Sequence, residues 1–161
     1  MKIHTLETSL HLPLPRSEVF GFSEAANLQR ITPPELRFRM LADGPVVIQE
    51  GSLIDYEFRL RGIPIRWRSL IRDWNPPIQF VDEQVKGPYA LWIHTHRFEE
   101  HGGGTTITDA VQYAIRWYPL EELAYPLVRR QLKAIFEHRQ RAVETILLPG
   151  ASGPTPAVTL R

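Results

Sequence analysis

The hydrophobic period changes once along this chain, and that change limits the folds open to it. Between residues 35 and 117, apolar and polar residues alternate with a period of two in successive segments. From 120 to 148 the period lengthens to that of a helix, with Val128, Leu132, Ile135, Val143 and Ile146 on one stripe. Strand segments are expected at 36–42, 52–60, 65–74, 79–86, 91–100 and 105–117. Turns rich in Gly, Pro and Asn separate them, at 43–45, 61–64, 75–77, 87–89 and 102–104. Tight turns between successive strands imply an antiparallel meander. A further strand is expected at 4–12, where Leu6, Thr8, Leu10 and Leu12 share one face. Short helices are expected at 17–22 and 24–30, the second capped by Ser23 and stopped by Thr32-Pro33-Pro34. Tyr118-Pro119 marks the start of the long helix, Pro126 is a place for a kink, and Leu148-Pro149-Gly150 ends it.

This order predicts an α+β fold: a seven-stranded curved antiparallel sheet wrapped around one long C-terminal helix, with two short helices between strands 1 and 2. Residues 1–150 form one domain, and 151–161, which carry Pro and Gly without a pattern, are expected to be a mobile tail. One helix cannot fill the concavity of a curved sheet, so an apolar pocket is expected between them.

Composition narrows the classes of function. The chain has 161 residues, 43% hydrophobic and 23% charged, and a net charge of +1. That balance lacks the strong basic footprint of a nucleic-acid binder. Its hydrophobic runs stay well short of a membrane span. The first residues, with Lys2 and Glu7, lack the apolar core of a signal peptide. There are no cysteines, which excludes disulfides, thiolate metal sites and cysteine nucleophiles; a cytoplasmic location is expected. No nucleophile elbow, phosphate loop or dinucleotide fingerprint is present.

A set of short motifs adds to this reading. They are Asn27-Leu28 with Ile31-Thr32-Pro33-Pro34, Phe80-Val81-Asp82, Gly87-Pro88, the run from Trp92 through His94-Thr95-His96 to Phe98, and Gly103-Gly104-Thr105 with Asp109, Val111 and Tyr113. Together they resemble the START-like or Bet v 1-like helix-grip superfamily (polyketide cyclase/dehydrase-like, SRPBCC), in its bacterial branch of single-domain ligand-binding proteins. The resemblance spans residues 5–148. It implies a cavity for a hydrophobic small molecule, without fixing a reaction.

Side-chain direction follows from hairpin register. If the glycine turn pairs Glu100 with Thr105, then Phe98 faces Ile107, His96 faces Asp109, His94 faces Val111 and Trp92 faces Tyr113. A turn at Gly87-Pro88 sets Gln84 opposite Trp92, Asp82 opposite His94 and Phe80 opposite His96. One inner face then carries large aromatics, two carboxylates and two imidazoles. Asp82–His94 and His96–Asp109 are expected pairs. They are either acid/base couples, whose carboxylate raises the imidazole pKa, or polar pairs that brace the sheet; bracing is the favoured reading. His94 and His96 point the same way, as in some zinc sites, with Asp109 or Asp82 as a conceivable third ligand. Because each histidine has its own carboxylate, no metal and no cofactor is expected.

Arg139 falls on the apolar stripe of the long helix, so it either meets a carboxylate or a ligand anion, or extends outward. The expected ligand-binding set is Tyr56, Phe58, Trp67, Ser69, Phe80, Asp82, Trp92, His94, His96, Phe98, Asp109, Tyr113 and Arg139. The expected function is binding of a hydrophobic or amphipathic small molecule. The alternative is a cyclase, dehydratase or hydrolase using His94 or His96 with Asp82 or Asp109. Basic residues other than Lys2, Lys86 and Lys133 are arginine, and Arg37, Arg39, Arg59, Arg66, Arg68, Arg72, Arg97 and Arg116 fall on the outer face. There Glu57 is expected to pair with Arg68, and Arg59 to oppose Arg66. That face is either a solvated, ion-paired surface or a dock for an acidic partner, a phospholipid head group or a second copy of the chain.

Overall fold

A computed structural model of the chain describes residues 2–116, 121–150 and 157–161. Strand β1, His4–Leu12, is followed by helices α1, Arg16–Gly21, and α2, Leu28–Ile31. Next come β2, Arg39–Met40; β3, Leu53–Leu60; β4, Ile63–Asn75; β5, Gln79–Lys86; β6, Tyr89–His101; and β7, Gly104–Ile115. Helix α3, Glu121–Leu147, and β8, Val158–Leu160, complete the chain. The sheet is antiparallel, with strand order β2-β3-β4-β5-β6-β7-β1-β8. Among the described residues it has eight strands rather than the expected seven.

The strands follow from alternation. In β1 the inward residues from His4 to Leu12 are buried, and Glu7, Ser9 and His11 are exposed. Tight turns set the register. Arg61 and Gly62, at φ 51 and 84, close β3 onto β4. Gly102 and Gly103, at φ 57 and 77, close β6 onto β7. Gly104 is needed for closeness as well: a Cβ there would collide with the Leu12 carbonyl of neighbouring β1. The inferred pairings of Glu100 with Thr105, Phe98 with Ile107, His96 with Asp109, His94 with Val111 and Trp92 with Tyr113 are those observed. Asp82 lies opposite His94, and Phe80 opposite His96.

Several expectations are corrected. The strand expected at 36–42 shrinks to Arg39–Met40, because Pro34–Leu36 form a 3-10 turn and Arg37 takes a φ of 46. Ser23 makes no cap; Ala25–Asn27 form a 3-10 turn, and the Asn27 amide donates to the Phe22 carbonyl at 2.8 Å. Gln84 does not extend the β5–β6 pairing, which stops at Glu83 opposite Ile93; its side chain holds the backbone of Tyr89 at 3.0 and 3.2 Å and closes the turn.

The helix is rotated from its expected stripe. Its buried line runs Leu132, Phe136 and Gln140, with Val128, Ile135 and Val143 flanking it. Trp117, the expected helix start at Tyr118-Pro119, and 151–156 of the expected tail lie outside the described residues. The end of that tail is a strand. Val158–Leu160 pairs with Thr8–Leu6 on the open edge of β1, and Thr5 and Arg161 exchange backbone bonds at 2.8 and 2.9 Å.

The core divides into two apolar clusters. One gathers Leu6, Trp67, Trp92, Val111 and Tyr113 under Leu132 and Phe136 of α3, with Leu160 from β8. The other gathers Leu10, Leu12, Val19, Phe20, Ile54, Ile71, Phe80 and Phe98, with Val143 and Leu147 of α3 against it.

Candidate functional site

A row of polar side chains crosses the sheet between the two clusters. Each strand supplies it at the point where its inner face passes from one cluster to the other. In β1, Thr8 stands between Leu6 and Leu10; in β7, Asp109 stands between Val111 and Ile107. In β6, His94 and His96 stand between Trp92 and Phe98; in β4, Ser69 stands between Trp67 and Ile71. Asp82 of β5 joins the row beside Phe80. Over it lie Arg139 and Gln140 of α3, between Phe136 and Val143.

Asp109 is the centre of this row. Its Oδ1 accepts from His94 Nε2 at 2.8 Å and from His96 Nδ1 at 2.9 Å. Its Oδ2 accepts from the Thr8 hydroxyl at 3.3 Å. The expected His96–Asp109 pair is present, and the expected Asp82–His94 pair is corrected: Asp109 serves both imidazoles, and Asp82 pairs with neither. The inferred register holds, but adjacent same-face residues of β6 bring both rings within reach of one oxygen, their centroids 3.8 Å apart. Phe80 stacks on His96 at 4.2 Å.

Burial governs the protonation states. Desolvation, with the neighbouring His96, pushes His94 down to about 3, and the bonds to Asp109 offset only part of this. The carboxylate raises the imidazole pKa as expected, but at His94 burial and His96 outweigh it. Burial alone would raise Asp109, but the bonds from His94 and His96 outweigh it and hold that carboxyl well below the usual range. For Asp82 the balance runs the other way: burial raises its carboxyl against the pull of Ser69, His96 and Arg139. Asp82 Oδ1 and Gln140 Oε1 are buried without hydrogen-bond partners.

Asp82, His96 and Asp109 of the row, with Arg139 and Gln140 above them, give the polar lining of a cavity of about 90 Å³ between the sheet, α3 and the α1–α2 segment. Its apolar walls include Leu10, Ile54, Ile71, Phe98 and Val143, and Phe22, Leu28 and Ile31 contribute from the α1–α2 side. Of the expected ligand set, Phe80, Asp82, His96, Phe98, Asp109 and Arg139 line this cavity. Tyr56, Phe58, Trp67, Trp92 and Tyr113 instead pack together in the first cluster, against Leu132, Phe136, Val128 and Ile135. Trp67 and Trp92 meet edge to face at 5.3 Å, and Ser69 accepts from the Trp67 indole at 3.0 Å. His94 lies behind His96, against Phe136. The expected cavity thus sits at the other end of the helix from most of its expected aromatic walls.

Gln140 and Thr8 belong to the site and were not singled out from the sequence. For Thr8 the signal was present, a polar residue on the Leu6–Leu12 face. Gln140 becomes visible only once the buried line of α3 is drawn through Phe136. His94, His96 and Asp109 bring one ligand-type atom each to within 4.8 Å of the others, so the trio has the donor set for a cation. The nearest nitrogens of both rings are engaged by Asp109.

Among the described residues, acids answer four of the eight arginines expected on the outer face: Arg39, Arg66, Arg68 and Arg72. Arg68 pairs with Asp55 at 2.8 and 2.9 Å and holds that carboxyl below its usual value. Glu57 takes Arg39 and Arg66 at 3.5 and 3.6 Å, in place of the expected Arg68, because register sets Glu57 opposite Arg66. Arg59 lies opposite Pro64, not Arg66. Arg72 meets Glu83 at 2.6 Å, and Arg116 donates to the Tyr89 carbonyl at 3.1 Å. No helix among the described residues is long and apolar enough to cross a membrane.

No family model and no curated protein matches the chain. Solved structures do. The crystal structure of TTHA0849 from Thermus thermophilus aligns at a TM-score of 0.68 and 17% identity, over 92% of this chain and 99% of that one. A START superfamily protein from Mycobacterium smegmatis aligns at 0.62 and 11%, over 89% and 99%. Ginseng major latex-like protein 151 from Panax ginseng aligns at 0.63 and 12%, over 91% and 99%. With this curved antiparallel sheet closed on a long C-terminal helix, the chain has the START-like, Bet v 1-like helix-grip fold.

Proposed function

We propose that the chain binds a hydrophobic or amphipathic small molecule in the cavity between the sheet and α3. The observation that carries this reading is the cavity itself: apolar walls from both layers over a polar floor, the combination by which small ligands are held and oriented. The test is native mass spectrometry of the purified protein before and after organic extraction, followed by titration with 1-hexanol monitored by amide NMR. A mass surplus removed by extraction, or saturable shifts at Leu10, Phe98 and Val143, supports the reading. Protein that carries nothing and shows no saturable shift up to the solubility of the alcohol overturns it.

A second reading draws on one specific feature, the His96–Asp109 pair at the cavity wall. A buried imidazole held by a carboxylate is equipped to move a proton, as a cyclase, dehydratase or hydrolase requires. His96→Gln separates the two readings. Glutamine keeps hydrogen bonding but does not titrate, so turnover of a substrate is lost while binding persists. A binder with no reaction shows only a change in affinity, of about 1 kcal/mol for one hydrogen bond.

A further inference from the structure

We propose that the ligand enters this cavity head-first and is an uncharged amphiphile whose polar head combines a hydrogen-bond acceptor with a donor, a primary amide being the simplest such head. This deepens the small-molecule reading and rests on it. Three polar groups that line the cavity support it. Asp82 Oδ1 and Gln140 Oε1 are buried acceptors without donors, although Gln140 is only 4% exposed. A buried acceptor left unpaired is destabilising, and native proteins rarely leave two on one cavity without a partner to come. Both residues line the cavity, so a donor placed there by a ligand would reach them.

The third group is Arg139. It lines the same cavity, and among the described residues no carboxylate stands within ion-pair distance of it; its guanidinium lies 5.4 Å from the Phe136 ring. Asp109, which lines the cavity with it, is occupied by His94, His96 and Thr8. Among the described residues, the lining therefore offers one guanidinium without a carboxylate partner and two acceptors without a donor. An amide satisfies all three: its carbonyl accepts from Arg139, and its N–H groups donate to Asp82 and Gln140.

Charge favours a neutral head. Asp109 and Arg139 both line the cavity, so an incoming anion meets the carboxylate and an incoming cation the guanidinium. An incoming ion of either sign would leave a buried charge uncompensated. Size favours a small compound. An apolar cavity of roughly 150 Å³ takes benzene, so one of about 90 Å³ accepts a head and a few carbons at depth. The apolar body then lies along Leu10, Phe98 and Val143.

The test is NMR titration at pH 7 with four probes of similar size: hexanamide, hexanoate, hexylamine and dipropyl ether, the last an acceptor without a donor. Hexanamide is expected to bind at least tenfold tighter than the other three. In Gln140→Leu, checked for folding by its thermal melt, that preference is expected to narrow to within about threefold, with dipropyl ether unchanged. If Gln140→Leu does not fold, the ranking on the unaltered protein decides. Hexanoate or hexylamine binding tightest would overturn the neutral head. Equal binding of all four would overturn the head while leaving the cavity reading intact. Binding of none, up to solubility, would overturn the small-molecule reading itself.

Discussion

Asp109 holds two imidazoles with one oxygen, and the consequence appears in pH dependence. His94 in the folded chain is pushed down to about 3, below its ordinary 6.5. Between those values the unfolded chain binds a proton that the folded chain refuses. The stability associated with a neutral His94 is therefore complete above pH 6.5 and is lost as pH falls toward 3. From pH 6.5 to 4.5 the loss from this one group amounts to about 2 kcal/mol. Urea unfolding at those two pH values should show a drop larger by about that amount in the unaltered protein than in His94→Gln. Equal drops in the two proteins would place the charge change elsewhere. Asp109 itself can be probed at fixed pH. Asp109→Asn keeps an acceptor for the histidines and should cost about 1–2 kcal/mol, whereas Asp109→Leu leaves two buried N–H groups unpaired and should cost about 3–5 kcal/mol. Similar melting temperatures for the two variants would show that the imidazoles do not depend on that oxygen.

At the scale of elements, β8 explains why the sheet has no bare edge at β1. Leu160 is buried in the first cluster and sits opposite Leu6. Leu160→Ala should lower stability by about 2 kcal/mol, the low end for a buried leucine, read by urea unfolding; a change within error would mean that the strand adds pairing without packing. This strand was not legible in the sequence, because three residues after a Pro-Gly segment carry too little alternation to stand out, and their partner lies about 150 residues away. The β6–β7 register was legible, since consecutive glycines at positive φ leave little choice of turn and a period of two then fixes every side chain. The polar row was legible on each strand for the same reason. Its wiring was not: whether His94 turns to Asp82 or to Asp109 depends on distances across two strands, which periodicity does not carry. The face of α3 was misjudged because its buried line ends in Gln140, and a polar residue on a helix reads as solvent-facing until the opposing floor is seen to be polar too.

The molecule as a whole is two packed ends joined by a polar middle, and the two ends should respond differently to substitution. The first end is filled: Trp92 and Phe136 are 7% and 2% exposed, and aromatic rings close the space under α3. Trp92→Ala should therefore act as an ordinary core truncation, costing about 3–5 kcal/mol. It should leave affinity for 1-hexanol within about threefold, since separated sites act nearly independently. The second end is not filled, and Val143 borders its cavity. Val143→Phe places a ring into existing space, so its stability should stay within about 1–2 kcal/mol of the original, short of the usual cost of overpacking a tight core. The same ring occupies the volume a ligand needs, so 1-hexanol affinity should fall at least tenfold. Urea unfolding and NMR titration on both variants read the contrast directly. The opposite pattern, with binding lost in Trp92→Ala and kept in Val143→Phe, would move the ligand space to the aromatic end that the sequence pattern first suggested. Retained binding in both would mean that the probe sits outside the fold's interior altogether.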